Sequence, residues 1–335
     1  MKIPLSPHSI EDYQTFLRVK SLPVFRIVGR FAEFPEEYAQ RVLGNVAETV
    51  HVEYKPHPGL FDYQRDIART AITKQKYAVF ADCGLGKTFI ISEFVRHAVS
   101  AMPKHKAALI VSPLMVVKQT IAEANKFYKG KMPIVQLRAH ELAAWLESGD
   151  ERIGITNYDA MHDDLPQGRL GCLVLDESSM LKSHYGKWGN ACIQLGKGLE
   201  WKMAATGTPA PNDRIEYANH AVFLDQFPTV NAFLARFFVN RGQTDNRWEL
   251  KPHALGAFYK TLSHWAIFLT DPATYGWKDN SGTLPPIKMH IDRIDMTESQ
   301  TQALWDLSGN LFADKAGGIT TRSKLARIAK GCDGS

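Results

Sequence analysis

Cysteine is scarce in this chain: four in 335 residues, Cys83, Cys172, Cys192 and Cys332, with no C-x-x-C pair among them. That scatter argues against both a disulfide framework and a zinc site built on paired thiolates, so the four read as reduced thiols of an intracellular, cytoplasmic protein. Long apolar runs are missing as well. Stretches such as Ala107 to Val111 and Leu173 to Leu175 fall far short of the ~20 residues that a bilayer-spanning helix requires. Met1 to Glu11 holds neither an apolar h-region nor a small-residue cleavage site, which argues against a secretory signal. Histidines such as His162 and His184 lie near acids, but none has an H-x-x-x-H spacing opposite a carboxylate or cysteine, so they read as solvated side chains rather than metal ligands. No internal repeat or low-complexity tract is present. A formal charge of +5 permits a polyanionic partner without requiring one. At 44% hydrophobic and 22% charged residues, the chain has the means to bury a sizeable core, enough for one large domain or two ordinary ones.

Four segments follow from the pattern along the chain. Residues 1–55 carry seven acidic and seven basic side chains, with a helical spacing over Ile10 to Val19, and read as a small accessory region. Residues 56–225 alternate short apolar runs with longer amphipathic ones, the pattern of strand-helix units around a parallel sheet. Strands are expected at Tyr77 to Ala81, Ala108 to Ser112, Ile134 to Leu137, Arg152 to Thr156, Cys172 to Asp176 and Lys202 to Thr206. Residues 226–283 are aromatic-rich and read as helical; Phe233, Phe237, Phe238, Trp248, Phe258, Tyr259, Trp265 and Phe268 are spaced as core side chains rather than as a platform for stacking bases. Leu284, Pro285 and Pro286 mark a boundary, and residues 284–335 then hold an extended run and two helical runs, Glu298 to Leu311 and Thr320 to Lys330.

Chemistry concentrates at three predicted strand ends. In Ala81-Asp-Cys-Gly84-Leu-Gly86-Lys87-Thr88 a glycine-bearing turn joins a buried strand to an amphipathic helix, the order that a phosphate-binding loop requires. Gly84 and Gly86 let backbone N–H groups converge on a phosphate at a helix N-terminus, Lys87 offers a point charge to the β and γ phosphates, and Thr88 offers a hydroxyl to magnesium. Leu173-Val-Leu-Asp176-Glu177 is an apolar strand ending in two carboxylates, 89 residues after Lys87. At the C-terminal edge of a parallel sheet it would lie beside the loop. There Asp176 suits magnesium, and Glu177 suits orienting and deprotonating a water. Thirty residues on, Met203-Ala-Ala-Thr206-Gly207-Thr208-Pro209 offers hydroxyls and a glycine either to that carboxylate pair or to a nucleic-acid phosphate.

In this order and spacing the residues resemble the superfamily 2 helicases, and within them the Swi/Snf-type translocases, particularly the shorter forms common in bacterial viruses. Phe61-Asp-Tyr63-Gln64, 23 residues before Lys87, looks like the adenine-reading motif, which implies that Gln64 hydrogen-bonds the adenine edge. Ala81 to Thr88 matches motif I. Leu109-Ile-Val-Ser112-Pro113-Leu114 is similar to motif Ia and Ile155-Thr156-Asn157-Tyr158-Asp159 to the strand-end motif after it, which implies that Ser112, Pro113 and Thr156 face a nucleic-acid backbone. Asp176-Glu177-Ser178-Ser179, with Lys182 and Ser183 following, resembles motif II, and Thr206-Gly207-Thr208-Pro209 with Asn212 resembles motif III. The resemblance is strong from Leu60 to Leu224 and weaker from Leu284 to Gly331.

What the resemblance implies is an α/β fold of the P-loop NTPase kind, with a RecA-like parallel sheet flanked by helices. The implied activity is that of an ATP-dependent DNA helicase or translocase, with ATP and magnesium at Gln64, Gly84, Gly86, Lys87, Thr88 and Asp176, catalysis by Lys87, Asp176 and Glu177, and duplex DNA as partner. A regulatory module that holds nucleotide or DNA without turnover is the alternative. The sequence departs from the family at Ser179, where motif II carries histidine or aspartate, and at Thr120 and Ile121, where motif Ia carries a tryptophan. It also reaches Ser335 before motifs IV to VI. A second RecA-like lobe, in cis or in trans, is therefore expected as a partner that supplies the arginine finger; Arg214 and Arg322 are the nearby arginines of this chain, and neither lies in a motif that aims it at the phosphate.

Overall fold

Strands buried on both faces read as continuous apolar runs, and in the computed structural model of the chain those runs lie side by side. The structure describes residues 1–6, 9–22, 24–35, 38–43, 53–181, 187–242, 248–278, 289–290, 295–311 and 326–328. The chain divides into two units, Met1–Asn280 and Ser281–Ser335.

The first unit opens with β1 (Lys2–Pro4), α1 (Ile10–Lys20), β2 (Arg26–Val28), β3 (Phe31–Glu33) and α2 (Ala39–Leu43). The three strands form an antiparallel sheet in the order β1-β3-β2. Val19, Leu22, Ala32, Phe34, Tyr38 and Val42 make a small core of their own. α1 starts where expected because the Ser9 hydroxyl accepts the Asp12 N–H at 3.2 Å, a side-chain cap for an otherwise unpaired donor.

The elements of the main sheet then follow as α3 (Asp62–Lys74), β4 (Lys76–Ala81), α4 (Lys87–Ala101), β5 (Ala107–Ser112), α5 (Leu114–Phe127), β6 (Val135–Gln136), α6 (Ala139–Ser148), β7 (Ile153–Asn157), β8 (Leu170–Asp176), α7 (Lys187–Leu195), β9 (Trp201–Thr206) and α8 (Tyr217–Phe223). Each of the six expected strands is present within two residues of its expected ends. After them come α9 (Val230–Phe237), the hairpin of β10 (Phe238–Asn240) and β11 (Trp248–Leu250), α10 (Leu255–Trp265) and β12 (Ala266–Leu269).

Seven strands form one parallel sheet in the order β12-β4-β9-β8-β5-β7-β6. Alternation along each strand feeds two cores. Phe80, Leu109, Val111, Leu173 and Leu175 face α6 to α10, whereas Val79, Ile110 and Val174 face α3 to α5.

β12 corrects the expectation that residues 226–283 are helical throughout. α9 and α10 are helices, but Ala266 to Leu269 pairs in register with Ala78 to Ala81 and becomes the edge of the main sheet. No turn residue separates α10 from β12, so the local pattern shows no boundary; the pairing with β4 creates it. Of the aromatics, Phe233, Phe237, Phe238, Phe258 and Trp265 are buried in the core, Trp248 and Phe268 pack against it, and Tyr259 is exposed.

In the second unit α11 (Glu298–Leu311) occupies the expected range. The Thr297 hydroxyl accepts the Gln300 N–H and the Gln300 carboxamide accepts the Thr297 N–H, a reciprocal start for the helix. Of the expected run Thr320 to Lys330, residues 326–328 are described and helical. The boundary at Leu284 to Pro286 lies outside the described residues.

Candidate active site

Parallel pairing sets which strand ends meet. In the order β4-β9-β8-β5, the loop after β4, Thr206 at the end of β9, Asp176 at the end of β8 and Ser112 at the end of β5 follow one another along the C-terminal edge of the sheet. Ligands of open parallel sheets gather at that edge.

The loop from Asp82 to Gly86 turns through two left-handed glycines, Gly84 at φ +84° and Gly86 at φ +69°, and Lys87 begins α4. Gly86 has a second reason to lack a side chain: a Cβ there would lie 2.4 Å from Gln64 Nε2. The Lys87 ammonium donates to the carbonyls of Ala81 at 2.9 Å and Asp82 at 3.4 Å and lies 4.0 Å from Glu177 Oε1. Its head group rests against Gly207, where an added Cβ would be 3.6 Å from Nζ. Thr88 is half-buried in the first turn of α4, where the helix's unpaired N–H groups and its dipole favour an anion.

Gln64 is buried on α3, and its carboxamide is committed within the chain. The oxygen accepts the Phe61 N–H at 3.1 Å, and the nitrogen donates to the Leu85 carbonyl at 3.2 Å. Tyr63 reinforces that contact, its hydroxyl donating to the same carbonyl at 3.1 Å. As placed, Gln64 braces the apex of the loop instead of presenting a free edge to a base.

Asp176 is buried. One carboxylate oxygen accepts the Ser112 hydroxyl at 2.9 Å and the other the Glu177 N–H at 3.1 Å, while Tyr158 donates to the Asp176 carbonyl at 2.8 Å. Burial pushes the Asp176 carboxyl above its ordinary value, against the pull of the Ser112 bond. Glu177 has φ +50°, the left-handed region that a side chain rarely adopts. Its Oε2 accepts the Thr206 hydroxyl at 2.9 Å, and the same hydroxyl oxygen accepts the Thr208 N–H at 3.1 Å. Loop lysine, carboxylate pair and threonine turn thus converge through Glu177.

Two residues expected to face nucleic acid do not. Ser112 is buried on Asp176, and Thr156 is buried with its hydroxyl donated to the Leu137 carbonyl at 2.9 Å. Both hydroxyls lie near the ends of strands that are paired on both sides, β5 between β8 and β7 and β7 between β5 and β6. Pro113 is half-buried at the start of α5, ahead of the exposed Leu114 and Met115. Thr208 is exposed and Gly207 half-buried. Arg214 is exposed, with its guanidinium over the Tyr259 ring at 5.9 Å. Lys182, Ser183 and Arg322 lie outside the described residues.

Four site residues were given no role by sequence reasoning, two of them, Tyr158 and Ser178, although they lie inside quoted motifs. Tyr158 holds the Asp176 backbone; Ser178, His220 and Glu216 form a buried group behind Glu177. Tyr158 and Ser178 meet partners 18 and 42 residues away in sequence, which no spacing rule links, and His220 meets Glu216, four residues back, only through its backbone carbonyl. Among the described residues no cluster of three or more His, Cys, Asp or Glu is placed to hold a metal by itself.

The family model described as the SNF2-related domain matches residues 73–330, which is 258 of the 335 residues. The chain belongs to the SNF2-related domain family. The matched range takes in the loop, the carboxylate pair and the threonine turn of this SNF2-related chain and begins after Gln64. Its fold is similar to the Sulfolobus solfataricus SWI2/SNF2 ATPase core in complex with dsDNA, at a TM-score of 0.54 and 18% identity over 85% of this chain and 60% of that one. The Sulfolobus solfataricus SWI2/SNF2 ATPase core domain is similar at 0.50 and 21%, over 84% and 58%. These likenesses show a RecA-like fold. Protein p41 of Acyrthosiphon pisum secondary endosymbiont phage 1 is 27% identical over 216 residues, 58% of this chain and 45% of p41. The chain thus spans under half of the curated relative and about three-fifths of the solved cores. No helix among the described residues is long and apolar enough to cross a membrane.

Proposed function

We propose that this SNF2-related chain binds and hydrolyses ATP as one RecA-like lobe of a motor that translocates on or remodels duplex DNA, completed by a second lobe in cis or in trans. The observation that carries the reading is the convergence on Glu177. One of its oxygens faces the Lys87 ammonium at 4.0 Å, and the other holds the Thr206 hydroxyl at 2.9 Å. A carboxylate oriented by a lysine on one side and a threonine on the other, beside a left-handed glycine loop, suits in-line attack of water on a γ-phosphate.

The loop N–H groups and the α4 terminus would receive the phosphates. Lys87 would exchange its two carbonyl acceptors for phosphate oxygens, and Glu177 would orient the water and take its proton. Thr206 would keep the Glu177 side chain aimed, while Asp176 and Thr88 would hold magnesium. The residues fit that ion: one buried carboxylate and one hydroxyl supply few protein ligands, as expected of a metal that keeps its waters and phosphate oxygens. Bound there, magnesium would neutralise charge on the phosphates. Gln64 would act on the base through the loop apex it braces. DNA as the partner rests on the family and on the DNA-bound relative.

An arginine finger from a second lobe is worth about 10³ to 10⁵ in rate, ~4 to 7 kcal/mol of barrier, so the chain alone should turn over slowly. Glu177→Gln should bind ATP within threefold of wild type and lose at least a hundredfold in single-turnover hydrolysis measured with enzyme in excess. Turnover near wild type in that variant would assign the proton to another group. ATP binding without hydrolysis in the wild type, with duplex DNA and a second lobe supplied, would leave the binding-module reading in its place.

A further inference from the structure

Glu177 holds a left-handed backbone conformation that a non-glycine residue rarely adopts, so its surroundings must impose it. Before it, Asp176 is fixed by Ser112 and Tyr158. After it, Ser178 begins a tight turn, Ser178–Leu181, and its side chain is buried. The Ser178 hydroxyl meets His220 Nε2 at 3.0 Å, and His220 Nδ1 meets the Glu216 carbonyl at 3.4 Å. The Glu216 carbonyl can only accept, which places a proton on His220 Nδ1, and the Ser178 hydroxyl, able to donate or to accept, completes the contact at Nε2. Burial favours the neutral ring, lowering the His220 pKa to about 4. The Glu216 carboxylate in turn accepts the Asn212 side-chain amide at 2.8 Å and its backbone N–H at 3.3 Å. Asn212 is exposed at the far end of the loop that Thr206 begins.

Two connections therefore run between Glu177 and the Thr206–Asn212 loop. Thr206 makes the direct one. The second runs beneath it, from Ser178 through His220 and Glu216 to Asn212, and is buried up to its last member. We infer that His220 is a positioning residue: it anchors Ser178 so that Glu177 stays in its strained conformation, and it ties that conformation to the outer end of the threonine loop. Ser178, not Ser179, thus carries the link between the carboxylate pair and the loop in this chain. The inference rests on Glu177 being the residue that positions the attacking water.

The test uses the full chain with AMP-PNP and magnesium as the probe and reads amide exchange over residues 212–220. Ser178→Ala with His220→Leu replaces the pair by an apolar contact, so that neither polar group is left buried alone. His220→Gln keeps an acceptor for Ser178 and a donor for the Glu216 carbonyl. In the wild type and His220→Gln, AMP-PNP should slow exchange over 212–220 at least tenfold. In the double variant that response should vanish, and the single-turnover rate should fall at least tenfold with AMP-PNP affinity unchanged. A purely structural role would instead lower melting temperature and affinity together, and His220→Gln would not separate from the double variant. The inference is overturned if residues 212–220 respond alike in the wild type and the double variant, or do not respond in a wild type that binds AMP-PNP. Failure of the wild type to bind AMP-PNP would overturn the nucleotide site itself and this inference with it. Turnover retained in Glu177→Gln alongside a coupled response would overturn the role of Glu177 alone.

Discussion

Replacing Lys87 by alanine separates a phosphate loop from a turn that merely looks like one. In the structure the ammonium is nearly buried and bonded to the carbonyls of Ala81 and Asp82. On binding nucleotide it must leave them for phosphate oxygens. Two bonds to phosphate oxygens, ionised at both ends, are worth about 6 kcal/mol together at the top of the charge-assisted range, and the two ammonium-to-carbonyl bonds given up, ionised at one end only, offset about 3 kcal/mol at its bottom. The net of about 3 kcal/mol corresponds to roughly a 160-fold loss of affinity. The fold should barely notice, because the two carbonyls lie beside the loop, where water can replace the lysine. Titration calorimetry with ATP and magnesium reads the first quantity, and a melting curve reads the second. Affinity within threefold of wild type, with melting unchanged, would show that Lys87 does not face phosphate. A fall in melting temperature large enough to explain the lost binding would make it a structural residue.

Gly86→Ala should destabilise by about 2 to 3 kcal/mol, since alanine is strained at φ +69° and its Cβ would displace the Gln64 carboxamide from Leu85; a melting temperature within 1 °C of wild type would contradict the packing of Gln64 on the loop. Cys83 is exposed in the loop, whereas Cys172 and Cys192 are buried, with burial pushing the Cys192 thiol up to about 12. N-ethylmaleimide should label Cys83 well ahead of those two, and saturating ATP should slow it; equal rates with and without ATP would place the thiol away from the phosphates. Glu93 is buried on α4, where burial pushes its carboxyl up but Arg96, Tyr54 and Tyr128 together outweigh it, so the net shift is downward. A carboxyl lowered on folding contributes stability above its unfolded value and loses it as pH falls through its folded one. Glu93→Gln should therefore cost about 3 kcal/mol at pH 7 and progressively less toward pH 3; a melting difference that stays constant over that range would refute the assignment.

Much of the RecA-like fold is legible in the residues themselves. A strand inside a parallel sheet is apolar on both faces, so Tyr77 to Ala81 and Cys172 to Asp176 stand out without any partner in view. The loop after the first is equally local, because its glycines, lysine and helix start are neighbours in the chain. Order along the sequence even implied that loop, carboxylates and threonine turn meet, since parallel strands put their ends on one edge. Tertiary structure decided the rest. Ala266 to Leu269 is a strand only because β4 offers an open edge beside it. Ser112 and Thr156 carry the same hydroxyl whether it reaches a nucleic acid or a neighbouring strand, and the pairing of β5 with β8 and of β7 with β6 turned both inward. His220 lies 42 residues from Ser178, and a hydrogen bond between two buried side chains leaves no periodicity in either. Local chemistry is written in neighbouring residues, whereas the direction in which a side chain faces depends on which strands and helices pack against it.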